Sequence, residues 1–180
     1  MTIKRARAAA VAIIAAGTIL ATTASGTAIA DNDDSGVRDV RLSGYQEDPA
    51  VLSTTGNGQF RLQIDQVNQA VNYVLSYSDL EGDVLQAHIH LGGRAQSGGI
   101  MVFLCTNLGN GPTGTQLCPA APAEISGTIR PTDIIGPAGQ GITAGQFDEF
   151  VAAVRAGVAY ANVHSMKYPG GEIRGQLDHH

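Results

Sequence analysis

Gly58-Gln59-Phe60-Arg61-Leu62-Gln63-Ile64-Asp65 alternates strictly between polar and apolar residues, and the fold class is read outward from it. A period of two places Phe60, Leu62 and Ile64 on one side of an extended chain and Gln59, Arg61 and Gln63 on the other. After Gln66-Val67-Asn68-Gln69 the pattern returns in Val71, Tyr73, Leu75 and Tyr77. The two runs therefore predict an antiparallel hairpin with one apolar and one wet face. On the N-terminal side, Val37 to Leu42 predicts a first strand, broken by Ser43-Gly44-Tyr45-Gln46-Glu47-Asp48-Pro49. On the C-terminal side come a histidine-bearing strand over Leu85 to Leu91, a glycine-rich turn over Gly92 to Gly99, and the apolar run Ile100 to Leu104. That run reads as a central strand buried on both faces. Glu124 to Arg130 is a further short strand, ended by Pro131. Val158 to Ser165 and Glu172 to Leu177 close the series as a hairpin around Pro169-Gly170-Gly171, residues suited to a tight turn.

One helix interrupts the strands. Thr143 and Gln146 fit a capping box, Ile142 and Phe147 a hydrophobic staple, and Phe147, Phe150, Val151 and Val154 an apolar stripe at helical spacing, with Gly157 as the stop. The whole is expected to be all-β, an antiparallel sandwich crossed by one helix.

Residues 1–30 read as a cleaved export signal: Lys4, Arg5 and Arg7 precede an apolar run, Ala8 to Leu20, too short to span a bilayer, and Ala28-Ile29-Ala30 offers a small-x-small cleavage site. Residues 31–36 are a polar, acidic leader, and the domain occupies 37–178. Loss of three cations moves the formal charge from −5 to −8, a sign that argues against nucleic acid or an anionic membrane as partner. The expected location is secreted or in the cell envelope. Cys105 and Cys118 are the only cysteines, and an even count in an exported chain favours a disulfide, here closing a turn-rich surface loop.

The histidine strand carries the chemistry. Leu85, Ala87, Ile89 and Leu91 point one way, so Gln86, His88 and His90 share the face turned away from the core. His164 stands in another strand, while His179 and His180 end the chain. Three imidazoles with an open position suit zinc or copper alike. Glu172, Asn162 and Glu47 are the polar groups expected to orient them, Glu172 most of all because the last hairpin brings it near His164. The competing expectation leaves His88 and His90 on a solvated face. No Gly-x-Ser-x-Gly elbow and no phosphate loop is present.

Leu42-Ser-Gly-Tyr-Gln-Glu-Asp-Pro49, Ala87-His-Ile-His-Leu-Gly92 and Ala161-Asn-Val-His-Ser-Met-Lys-Tyr-Pro-Gly-Gly-Glu-Ile-Arg-Gly-Gln176 resemble the start, middle and end of a chordin-type (CHRD) domain. That resemblance implies an extracellular, immunoglobulin-like β-sandwich acting as a binding module. A second likeness is to copper-zinc superoxide dismutases, which place a His-x-His pair on one strand and a further copper-binding histidine on a late one. It would make His88, His90 and His164 copper ligands, but Glu172 or Ile173 stands near the place of the family's late arginine, and Arg174 would have to be displaced to fill it. No histidine lies between His90 and His164 to bridge two metals, and the zinc-binding set is missing. The reading is thus a CHRD binding module with a copper site rather than an enzyme. A dismutase-like metalloenzyme and a metal-free domain that binds an extracellular or envelope protein are the alternatives.

Overall fold

In the computed structural model, which describes residues 36–178, eight strands and one α-helix follow the order expected. The strands are β1 (Val37–Ser43), β2 (Asn57–Asp65), β3 (Ala70–Ser78), β4 (Val84–Leu91), β5 (Ile100–Thr106), β6 (Ala123–Ile129), β7 (Ala159–Ser165) and β8 (Ile173–Gln176), with α1 (Phe147–Arg155) between β6 and β7. The expected signal peptide and the leader up to residue 35 lie outside the described residues, as do His179 and His180.

The strands form one antiparallel ladder, β5-β4-β7-β8-β1-β2-β3-β6. Its weakest link is the join of β1 to β8, a single paired position, Ser43 with Arg174. The ladder folds over there into two four-stranded halves, which is how a continuous sheet makes a sandwich. Alternation sends Val40, Leu42, Phe60, Leu62 and Leu75 from one half, and Ala87, Ile89, Val102, Leu104, Val163 and Ile173 from the other, into a shared core. Each large side chain fully buried there contributes about 1.5–3 kcal/mol by leaving water.

β5 is not the central strand expected from its apolar run; it ends the ladder. Met101, Val102 and Leu104 are nonetheless buried, because chain from elsewhere covers the edge: the Ile135 N–H donates to the Met101 carbonyl (2.9 Å) and the Thr106 N–H to that of Gln116 (2.9 Å). An apolar run cannot distinguish burial by neighbouring strands from burial by a loop.

The edges of β5 and β6 face each other across the open side. Tyr73 of β3 crosses the gap and donates from its hydroxyl to the Leu104 carbonyl (3.1 Å). The Gln116 side-chain amide reaches Tyr73 Oη (2.9 Å), the Leu104 carbonyl (3.1 Å) and the Ser126 carbonyl of β6 (3.3 Å). Gly127 is needed for this crossing, since a Cβ there would stand 2.8 Å from the Tyr73 ring. Gln116 belongs to the loop closed by the Cys105–Cys118 disulfide, which is formed.

The helix begins later than the capping box predicts. The Gln146 side chain does accept from the Thr143 N–H (2.6 Å), but Gly145 adopts φ +85° and turns the chain before the first helical residue, Phe147. The end is as expected: Gly157 at φ +68° allows Gly157 N–H to reach the Val154 carbonyl and Val158 N–H that of Ala153, satisfying two terminal carbonyls. Phe147, Phe150, Val151 and Val154 face the core, and Asp148 and Arg155 bond Gln66 in the β2–β3 turn.

Candidate metal centre

The outer face of the half β5-β4-β7-β8 is where the histidines lie. Cross-strand register sets Phe103 opposite His88, His88 opposite Asn162, His90 opposite Tyr160, and Asn162 opposite Arg174. Alternation therefore brings Phe103, His88, His90, Tyr160, Asn162, His164, Arg174 and Gln176 onto one surface. The surface is not solvated. His88, His90, Tyr160, Asn162, His164, Arg174 and Gln176 are all buried, because the Gly44–Leu52 segment and the turns after β4 and β7 fold over them. The histidines thus do face away from the core, but burial replaces the solvated face.

His88, His90 and His164 come together, each able to offer one ring nitrogen within 4.8 Å of the others. His88 Nδ1 and His164 Nε2 are 3.2 Å apart. Nitrogens held about 2 Å from a common ion stand roughly 3.3–3.5 Å from one another, so this pair stands close to ligand spacing and the third must close by up to about 1.4 Å.

Backbone carbonyls fix which nitrogen is free. His90 Nδ1 meets the Gly98 carbonyl at 2.9 Å and His164 Nδ1 that of Pro169 at 3.0 Å. A carbonyl only accepts, so Nδ1 of each ring carries the proton and Nε2 of each neutral ring keeps a lone pair. Gly98 can reach in because it has no side chain: a Cβ there would stand 1.6 Å from the Leu91 carbonyl oxygen. Burial disfavours the charged form of all three rings. His88 is held down to about 2, by burial first and then by its two imidazole neighbours. His90 falls to about 4, burial and the charges of His164 and Arg174 outweighing the Gly98 bond, and His164 is lowered mainly by burial. At neutral pH the three rings are uncharged donors. His88 Nε2 and His90 Nε2 are buried without a hydrogen-bond partner, a cost of about 1–3 kcal/mol each that an apolar substitute would avoid. In the metal-free protein His88 Nδ1–H donates to His164 Nε2, so of the nitrogens that could meet a shared ion His90 Nε2 is the one left without a partner. Neutral, converging imidazoles are the donor set a transition-metal ion requires.

The supporting residues are arranged otherwise than expected. Glu172 is fully buried, but its Oε1 takes the Thr54 hydroxyl (2.6 Å) and the Glu81 N–H (2.7 Å) rather than an imidazole. It pins the loops beneath the last hairpin, while carbonyls do the orienting. Glu47, also expected to orient an imidazole, is buried and instead accepts from Asn162 Nδ2 (2.8 Å). Burial raises its carboxyl to about 7 against the opposing pull of Arg174 and Asn162. Phe103, Tyr160 and Gln176 escape the sequence reading altogether. Phe103 lies edge-on to His88 (4.4 Å between centroids), and Tyr160 stacks on His90 (4.8 Å, 4° between planes). The Arg174 guanidinium lies 3.5 Å from the Tyr160 ring centre and donates to Gly93 O (2.7 Å) and Gln176 Oε1 (3.2 Å). The signal was register: all are in step with the histidines by twos or across a pair.

A cleft of about 500 Å³, lined in part by Glu47, Asp48, Ser97, Lys167, Tyr168 and Pro169, adjoins the segments that cover the site. The CHRD domain family matches this chain over residues 39–177. The chain belongs to the CHRD family. The match takes in all eight strands except the first residues of β1, and every member of the histidine cluster. No curated protein and no solved structure matched the chain. Among the described residues of this CHRD domain no helix is long and apolar enough to cross a membrane.

Proposed function

We propose that this CHRD domain is an exported binding module that holds one copper ion through His88, His90 and His164. The observation that carries the reading is the buried convergence of three neutral imidazoles, two of them with the proton fixed on Nδ1 by a backbone carbonyl. A copper ion so held would supply Lewis acidity and one-electron chemistry. The chain itself orients the rings, keeps them unprotonated and screens them from bulk water with the Gly44–Leu52 segment. Zinc fits the same donors by ligand type, and copper is favoured because it binds imidazole more tightly in the divalent series. Export is supported by the disulfide, which persists in oxidising compartments, and by the signal-like first thirty residues.

The test is metal analysis of tag-free protein carrying His179→Asn and His180→Asn, so that the terminal pair cannot bind metal. One equivalent of copper retained through dialysis, and lost in the His88→Ala, His90→Ala double variant, is expected. Folded protein that retains neither copper nor zinc would leave a metal-free interaction domain. Superoxide turnover by the copper-loaded protein would favour the dismutase-like alternative.

A further inference from the structure

We propose that Arg174, stacked through Tyr160 onto His90, biases the three-histidine site toward singly charged copper over doubly charged ions. The inference rests on the metal-binding reading and goes beyond it, to the oxidation state the site selects.

The three ligands bring no negative charge, so an ion bound by them keeps its full charge in a buried place. The cation buried on the same face is Arg174, permanently protonated. It cannot swing away. The Tyr160 ring lies beneath it, Gly93 O and Gln176 Oε1 hold its Nη2, and it is 2% exposed. Because β7 runs between β4 and β8, Tyr160 is sandwiched between His90 and Arg174, and the stack spans 4.8 Å and 3.5 Å from centre to centre. A guanidinium so placed stands within roughly 10 Å of an ion on His90. At an effective dielectric near 20, one unit charge at that distance changes the relative affinity for ions differing by one charge by about tenfold. The nearest buried counter-charge, Glu47, is held on Asn162, off the stack. Asp48 bonds Ser97 on the half-buried rim. Both carboxylates act in the sense opposite to Arg174, so the two signs can be separated by substitution.

The experiment is a mediator-equilibrated redox titration of the copper-loaded, tag-free protein at pH 8, followed by the Cu(II) electron paramagnetic resonance signal. Arg174→Gln is expected to weaken the preference for Cu(I) about tenfold, equivalent to a fall of ~59 mV for one electron. Arg174→Lys, which keeps the charge, should stay near the wild type, and Glu47→Gln should move the potential upward. An unchanged or raised potential in Arg174→Gln, or a shift of the same sign in both Gln variants, would overturn the proposal. Should Arg174→Gln fail to fold, the Lys and Glu47→Gln arms still decide: a potential unmoved by Glu47→Gln overturns the electrostatic account. Wild-type protein that takes up no copper fails at loading, and that failure belongs to the metal-binding reading.

Discussion

Acidification of the metal-free protein pits the buried imidazoles against a buried carboxyl, and substituting Glu47 separates them. His88 and His90 lie at about 2 and about 4 in the folded chain against 6.5 for a free imidazole. The unfolded chain therefore binds protons that the folded one refuses. Stability from these rings is complete well above pH 6.5 and is lost as pH falls below it. Between pH 7.5 and 5.5 each ring costs about 1.4 kcal/mol, about 3 kcal/mol for the two. Glu47 has the opposite sign: its carboxyl is raised from 4.5 to about 7, so the folded chain takes up a proton that the unfolded chain does not, and acid over the same interval returns about 2 kcal/mol. Wild-type protein should lose about 1 kcal/mol and Glu47→Gln, which keeps an acceptor for Asn162, about 3 kcal/mol. His164 shifts in the same direction as the other imidazoles and steepens both slopes. Urea unfolding at the two pH values, with the disulfide intact and a chelator present, measures the difference. A Glu47→Gln slope equal to or shallower than the wild-type slope would refute the reasoning.

Other perturbations test separate parts of the structure. Phe150→Ala, at a fully buried position of α1, should cost about 3–5 kcal/mol in urea unfolding, whereas an exposed helix would lose far less. Gly127→Ala drives a methyl group toward the Tyr73 ring and should cost about 1–3 kcal/mol, visible as a lower melting temperature; an unchanged melting point would mean that Tyr73 does not cross there. Replacing Cys105 and Cys118 together by Ala should remove about 3 kcal/mol by freeing the loop in the unfolded chain. Gly98→Ala should weaken copper binding at least about tenfold at equilibrium dialysis, since the carbonyl that orients His90 would have to move.

The strands were legible because each needs only local alternation, as in Phe60-Arg61-Leu62, and the last hairpin because Pro169-Gly170-Gly171 is a local turn. The convergence of His88 and His90 with His164 was legible too, from an i, i+2 pair and a second polar position in a late strand. Covering was not. The burial of His88 depends on segments far away in sequence, and β5 reads as central although a loop closes its edge. Arg174 and Tyr160 gain their meaning only from register between β7, β8 and β4, which no single run displays. The late start of α1 shows a competing rule winning, since Gly145 takes a left-handed conformation inside an otherwise suitable capping sequence.

The loop tied off by Cys105 and Cys118 has a protective consequence. Through Gln116 it caps the Leu104 carbonyl and Thr106 N–H of β5 and the Ser126 carbonyl of β6, edge groups on which a neighbouring molecule would otherwise build. Reduction of that bond frees the loop to lift, and the first species to appear should be self-associated rather than unfolded. The same bond that stiffens one molecule keeps it from templating the next.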